Sequence, residues 1–200
     1  TSTYWVKPAR AKAAQASASM RRSRSRIAHT TSTSESGQRA TLSAVLRHDW
    51  MDLWYQPKVE LRTMHLVGAE ALVRARHPTR GVIPPGLFLP GASEQDMHEL
   101  TERVILTALG DWEDFAEYSA PIKLAVNVPV SALVQLPIPR MLREARPRAS
   151  NWPGLILEVT EDQIINDLDL ASDVAGALRE LKCELAVDDF GAGYSSLVRL

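Results

Sequence analysis

Two kinds of hydrophobic pattern alternate along the chain from residue 41 onward. Short apolar runs rich in Val, Ile and Leu predict β-strands, and longer stretches with apolar side chains at every third or fourth position predict helices. The turn at residues 62–65, between the first two predicted strands, is short enough for an antiparallel hairpin. Strands are predicted at 53–61, 66–74, 122–128, 155–159 and 184–187. Helices are predicted at 41–48 with Thr41 as the N-cap, at 93–118, up to 146 with a proline interruption, and at about 169–182, and a proline-rich loop is predicted at 81–90.

Strands that alternate with helices in this way are typical of a parallel sheet with right-handed crossovers. Asn127 and Glu158, which end two of the apolar runs, are 31 residues apart, and Glu158 and Asp188 are 30 residues apart. A (β/α)8 barrel of about 250 residues has about 31 residues in each strand–helix unit. The spacing therefore favours the α/β class and a TIM-like barrel.

The net charge of −1 combines two segments of opposite charge. Residues 1–40 carry eight Lys or Arg and one acid, which gives +7, so the remaining residues carry −8. This first segment is rich in Ser, Thr, Ala and Arg and has too few large apolar residues to form a core, which predicts a disordered linker or tail. One alternative is a nucleic-acid contact through the basic residues 20–26, but no aromatic residue is interleaved there, and we expect no DNA partner. Another is that residues 4–7 (Tyr-Trp-Val-Lys) end an upstream domain.

A single cysteine, Cys183, excludes an internal disulfide and a cysteine-rich zinc site and fits a reducing cytosol. No apolar run approaches the roughly 18 to 20 residues that cross a bilayer, so we expect a cytoplasmic protein. A chain that starts at Thr1 rather than Met and stops just after a predicted loop indicates a fragment, which leaves open a membrane anchor elsewhere.

Four of the predicted strands deliver an oxygen-bearing side chain where their apolar run ends. The carboxyl ends of parallel barrel strands meet on one face, which is where barrel enzymes hold their chemistry. Three carboxylates and an amide that converge there without a Lys or His repel one another, and a divalent cation relieves that repulsion. Hard oxygen ligands favour Mg²⁺ or Mn²⁺ over Zn²⁺ or Cu²⁺. The candidate ligands are Glu70, Asn127, Glu158 and Asp188, and the adjacent Asp189 suits a site with two metal ions.

The same residues lie within motifs that resemble one family. Residues 68–74 (Gly-Ala-Glu-Ala-Leu-Val-Arg) look like the signature of the EAL domain, the cyclic-di-GMP phosphodiesterase family. Residues 158–161 (Glu-Val-Thr-Glu) and 188–197 (Asp-Asp-Phe-Gly-Ala-Gly-Tyr-Ser-Ser-Leu) are similar to two further motifs of that family. The resemblance runs in order over 41–200 and also includes Tyr55-Gln56-Pro57, His77-Pro78, residues 81–85 (Gly-Val-Ile-Pro-Pro), Phe88-Leu89-Pro90 and Asn127-Val128.

The resemblance implies an EAL-type (β/α)8 barrel whose first strand runs antiparallel, in agreement with the predicted hairpin. The barrel is expected to be truncated at the C-terminus, since about five of eight strands fit before Leu200. The implied reaction is hydrolysis of one phosphodiester of cyclic-di-GMP to linear pGpG with two Mg²⁺ or Mn²⁺ ions. The family's metal ligands are matched by Glu70, Asn127, Glu158 and Asp188, and the acid that helps to hold the second metal is matched by Asp189. The expected catalytic residues are Glu70, Asp188 and Asp189. The family's substrate contacts are matched by Gln56 and Arg74.

The alternative is a catalytically inactive EAL domain that acts as a cyclic-di-GMP receptor or a protein-interaction module. Pro129 and Ala192 stand where the family commonly has Ser and Thr, and the Lys that orients the attacking water in the family falls beyond Leu200. The expected partners are cyclic-di-GMP, a second copy of the barrel in a homodimer, and an upstream sensor or GGDEF-type domain.

Overall fold

The computed structural model describes residues 40–118, 121–160 and 168–188. The predictions for residues 1–39, and for the motif residues after Asp188, lie outside these residues. The described elements are, in chain order, α1 (Leu42–Arg47), β1 (Met51–Glu60), β2 (His65–His77), β3 (Gly81–Ile83), a 3₁₀ turn (Pro85–Leu87), α2 (Glu94–Tyr118), β4 (Lys123–Asn127), α3 (Val130–Gln135), α4 (Ile138–Ala145), β5 (Leu155–Thr160), α5 (Leu168–Arg179) and β6 (Glu184–Asp188).

The six described strands form one mixed sheet with the order β1-β2-β4-β5-β6, and β3 pairs with β2 outside that path. β1 and β2 form the predicted antiparallel hairpin, and β2, β4, β5 and β6 are parallel neighbours. The antiparallel first strand and the parallel sheet with helical crossovers are therefore both confirmed. The three central residues of β4 (Leu124 to Val126) are apolar and buried, as expected of a strand that is covered on both faces.

Helix α2 covers the outer face of the hairpin. The Tyr55 ring of β1 meets the Phe115 ring edge to face at 5.0 Å, and its hydroxyl donates a hydrogen bond to the Asp111 carboxylate at 2.8 Å. Trp112 is buried and donates its indole N–H to the carbonyl of Ile122 at 2.9 Å, which ties α2 to the start of β4. Because successive side chains of a strand point to opposite faces, the residues next to Tyr55 in β1 face away from α2.

The helix starts follow local capping chemistry. The Thr41 hydroxyl accepts a hydrogen bond from the amide of Ala44 at 3.3 Å, as predicted for the N-cap of α1. The Ser93 hydroxyl accepts one from the amide of Asp96 at 3.1 Å at the start of α2. The predicted proline interruption is also present, since Pro137 stands between α3 and α4 and is the N-cap residue of α4.

One local prediction was wrong in part. Residues 81–90 were expected to form a loop, but Gly81–Ile83 is a short strand. It forms because β2 continues three residues past its predicted end at Arg74, so that Ala75 to His77 offer an edge to which β3 pairs. Within the described ranges, no helix has the length and apolar character needed to cross a membrane.

Candidate active site

Strand register gathers four polar residues on the sheet face that is turned away from α2. Gln56 of β1 is the Cα partner of Glu70 in β2, and Glu70 in turn is the partner of Ala125 in β4. Asn127 lies two residues beyond Ala125, hence on the same face, and is the partner of Glu158 in β5. Cross-strand partners share a face, so Gln56, Glu70, Asn127 and Glu158 form one row across four strands.

Asn127 and Glu70 are in direct contact. The Asn127 side-chain N–H donates a hydrogen bond to Glu70 Oε1 at 2.9 Å. This hydrogen bond fixes the orientation of the amide, because its nitrogen is turned toward the carboxylate and its carbonyl oxygen is left to accept from another group. Two residues that are 57 positions apart in the chain are thus held together at the candidate site.

Glu158 is the most buried carboxylate of the row, with 8% of its surface exposed. Its Oε1 accepts a hydrogen bond from the Lys58 ammonium at 2.5 Å, so the two residues form an ion pair between β1 and β5. Its Oε2 is buried and has no hydrogen-bond partner among the residues that the structure describes. A buried carboxylate oxygen without a partner is unfavourable unless another group, such as a cation, completes its surroundings.

The presence of Lys58 corrects the expectation that no Lys or His converges with the carboxylates. Lys58 lies two residues after Gln56 and therefore on the same face of β1, and its Cα partner in β2 is Gly68. A Cβ at Gly68 would lie 2.8 Å from the backbone carbonyl oxygen of Lys123, so the glycine allows β2 and β4 to approach closely at this level of the sheet. In the sequence, the two-residue spacing of Gln56 and Lys58 along the predicted strand indicated that they share a face. The distance from Lys58 to Glu158 could not be inferred in this way, because it depends on how the sheet curves.

A second correction concerns Glu70, which was expected at the end of its strand. β2 runs on for seven residues to His77, so Glu70 lies in the middle of the strand. Only Gly68 to Ala71 pair with β4, and the continuation is sustained by β1 and β3. Glu70 thus lies close to the end of the parallel pairing rather than at the end of β2.

Gln56 and Arg74, the expected substrate contacts, flank the carboxylates. Gln56 is exposed beside Glu70. The Arg74 guanidinium lies over the Trp54 ring at 5.9 Å from its centroid and donates a hydrogen bond to the carbonyl of Val73 at 2.8 Å. Partial burial lowers the pKa of Arg74 from its ordinary value.

Asp188 and Asp189 are the remaining expected ligands. Asp188 ends β6 and is the Cα partner of Thr160, so its backbone lies one strand beyond Glu158. Asp189 and the side chain of Asp188 lie outside the described residues. Within the described ranges, no three His, Cys, Asp or Glu side chains are grouped closely enough to form a metal site by themselves.

The donor set fits a hard divalent cation. Glu70, Asn127 and Glu158 offer carboxylate and amide oxygens, which Mg²⁺, Mn²⁺ and Ca²⁺ prefer, and no sulfur or imidazole ligand belongs to the row. The buried Oε2 of Glu158 is an acceptor that a cation would satisfy. The described residues therefore bring together oxygen donors of the kind that hard divalent cations prefer and a neighbouring guanidinium of the kind that pairs with anions.

Comparisons with known proteins agree with this arrangement. The chain is 34% identical over 155 residues to a cyclic di-GMP phosphodiesterase of Pseudomonas aeruginosa, which covers 76% of this chain and 26% of that protein. Among solved structures, the MucR phosphodiesterase in complex with c-di-GMP superposes with a TM-score of 0.68 at 34% identity, covering 78% of this chain and 65% of that one. The manganese and cyclic-di-GMP complex of BlrP1 from Klebsiella pneumoniae gives a TM-score of 0.55 at 29% identity, covering 74% of this chain and 37% of that one.

The similarity extends over most of this chain but over a smaller part of its relatives. The chain spans only 18% to 26% of the length of the first curated relatives that it matches. The EAL domain family matches residues 38–200, which include all of the described strands and helices. The fold is accordingly the α/β barrel type of EAL domains, and the chain belongs to the EAL domain family.

Proposed function

We propose that the protein to which this chain belongs hydrolyses one phosphodiester of cyclic-di-GMP, giving linear pGpG, in bacterial second-messenger signalling. The observation that carries the proposal is the row in which Glu70 contacts Asn127 and Glu158 keeps a buried oxygen that has no partner among the described residues. Relatives with 34% to 35% identity are cyclic di-GMP phosphodiesterases, which supports the same reaction for this family member.

The proposed cofactor is a pair of Mg²⁺ or Mn²⁺ ions. Glu70, Asn127 and Glu158 would hold them together with Asp188, the last residue of β6, and Asp189, which comes next in the sequence. When bound, two such ions supply a water nucleophile near neutral pH and stabilise the negative charge that develops on the phosphate. Support for a divalent cation comes from the hard oxygen donors of the row and from the manganese complexes of BlrP1.

The chain's own residues would bind and orient the dinucleotide. The guanidinium of Arg74 offers N–H donors to a phosphate, and its contact with the Trp54 ring limits its motion. Gln56 can donate and accept hydrogen bonds beside Glu70, at the position where the reacting phosphate would approach the carboxylates. Asn127 keeps the Glu70 carboxylate oriented through its 2.9 Å hydrogen bond.

A second candidate function is a receptor that binds cyclic-di-GMP, or a protein partner, without cutting it. Inactive barrels of this kind are expected to lose ligand residues, whereas Glu70, Asn127, Glu158, Asp188 and Asp189 are all present here. The presence of all five residues favours the enzyme over the receptor.

The remaining parts of the proposal concern the setting of the domain. We expect it to act in the cytoplasm, as a homodimer formed through the barrel, under the control of an upstream sensor or GGDEF-type domain. Residues 1–40 would then be a basic linker, and residues 41–200 would belong to the domain itself.

The test is incubation of the full-length protein with cyclic-di-GMP and Mn²⁺ or Mg²⁺, followed by chromatography of the nucleotides. The enzyme predicts linear pGpG that appears with time and is absent when the metal is removed by EDTA. The receptor predicts binding of cyclic-di-GMP with no linear product under any metal condition, and that result would refute the proposed reaction.

A further inference from the structure

Lys58 reaches a residue that is three strands away in the sheet. β1 and β5 are separated by β2 and β4, and neighbouring strands lie about 4.8 Å apart, so a flat sheet would hold them roughly 14 Å apart. Lys58 Nζ nevertheless lies 2.5 Å from Glu158 Oε1. The sheet must therefore curve toward the face that carries the polar row, which brings the lysine over the carboxylates.

The pair has an unequal environment. The Lys58 side chain is 40% exposed, whereas the Glu158 side chain is 9% exposed. Nearly all of the desolvation therefore falls on the carboxylate, which needs a positive partner far more than the ammonium does. Among the described residues, Lys58 is the only charged side chain that forms an ion pair with Glu158.

Lys58 would also compete with a metal ion for the same ligand. A cation that binds Glu158 must either displace the ammonium from Oε1 or approach Oε2 while the ammonium remains close by. In the first case an ion pair is lost, and in the second two positive charges lie within a few ångströms of each other at low dielectric. Both routes weaken the affinity of the site for the metal.

We propose that Lys58 is the resident counter-ion of Glu158: it holds the carboxylate in place before the metal binds, and it lowers the affinity of the site for divalent cations. Lys58 is thus a positioning residue that acts through Glu158. The inference rests on the proposed metal site and adds a determinant of its affinity that comes from β1.

The experiment measures Mn²⁺ binding by isothermal titration calorimetry with the full-length protein, at about pH 8, where exposed carboxylates are ionised. Lys58→Met removes the charge and keeps much of the side-chain volume. We expect the variant to bind Mn²⁺ roughly tenfold more tightly than the unchanged protein. We also expect it to unfold at a lower temperature in EDTA and to gain a larger increase in unfolding temperature from Mn²⁺.

Two control variants separate charge from packing. Lys58→Arg keeps the positive charge and should bind Mn²⁺ with the affinity of the unchanged protein. Lys123→Met removes a similar ion pair, between Lys123 Nζ and Glu184 Oε1 at 2.6 Å, which joins the starts of β4 and β6, away from the candidate site. This control should leave the Mn²⁺ affinity unchanged.

The outcomes distinguish the two proposals. No Mn²⁺ binding by the unchanged protein would refute the proposed metal site. Binding by the unchanged protein with equal or weaker binding by Lys58→Met would refute the role of Lys58 alone. If Lys58→Met does not fold in EDTA, folding in Mn²⁺ supports the counter-ion role. Failure to fold in Mn²⁺ as well refutes it, because a bound cation should replace the missing ammonium at Glu158.

Discussion

Gly154, which precedes β5, allows a backbone contact that another residue would prevent. Its φ is +97°, a conformation that residues with a Cβ rarely adopt. A Cβ at this position would lie 1.6 Å from the carbonyl oxygen of Lys182, just before β6. Replacing Gly154 by Ala therefore forces the starts of β5 and β6 apart, and these are the strands that carry Glu158 and Asp188 at their other ends.

The magnitude follows from two terms. A side chain held at such a positive φ costs about 1 to 3 kcal/mol, and forcing extra atoms into a packed site typically costs a similar amount. We expect Gly154→Ala to lower the free energy of unfolding by about 3 to 5 kcal/mol, which for a domain of this size lowers the unfolding temperature by roughly 10 °C or more. Urea and thermal unfolding followed by circular dichroism measure both quantities.

Gly176 provides the matched control. It is an exposed glycine inside α5, and a Cβ added there would meet no atom within 4 Å. Alanine favours helices over glycine by about 1 kcal/mol, so Gly176→Ala should stabilise the protein slightly. A loss of less than about 1 kcal/mol in Gly154→Ala would refute the reasoning, since it would mean that the strands move apart freely.

Two further predictions concern buried titratable groups. The pKa of Tyr55 is raised mainly by burial and next by the neighbouring Asp111. The folded state therefore favours the neutral phenol. This contribution to stability is fully present below the ordinary phenol pKa of about 10 and is lost as the pH rises above it. Urea unfolding between about pH 8 and 11 should therefore show a smaller alkaline loss of stability in Tyr55→Phe than in the unchanged protein, and equal losses would contradict this. Burial also raises the pKa of the Cys183 thiol. Iodoacetamide should therefore label Cys183 slowly in the folded protein and quickly in urea, as measured by mass spectrometry. Equal labelling rates would show that the thiol is accessible in the folded protein.

The order of strands and helices could be predicted from the sequence because each element has a local signal. Thr41 precedes an apolar helical run and caps α1 as expected, and the spacing of Asn127 and Glu158 gave the repeat of the strand–helix unit. The hairpin between β1 and β2 followed from the short polar turn that joins two strand-like runs. In each case the relevant side chains lie within a few residues of one another or repeat at a fixed interval.

Features that depend on three-dimensional curvature could not be predicted in this way. Lys58 meets Glu158 across 100 residues of chain. Alternation along β1 puts Lys58 on the same face as Gln56, but the bend of the sheet is not visible in the local pattern. β3 was missed because Gly81 and the prolines after Ile83 are typical of a loop, whereas its strand geometry comes from pairing with the extension of β2. The position of Glu70 in the middle of β2 has the same origin.

The measurement that tests the central claim most directly compares two glutamate variants of the full-length protein in the hydrolysis of cyclic-di-GMP. Glu70→Ala removes the carboxylate that contacts Asn127, whereas Glu60→Ala removes an exposed carboxylate at the end of β1 that accepts a hydrogen bond from Thr63. If Glu70 holds the metal, its variant should lose more than about a hundredfold in the rate of pGpG formation, and the Glu60 variant should retain the rate of the unchanged protein. Retained activity in Glu70→Ala would contradict the site described here.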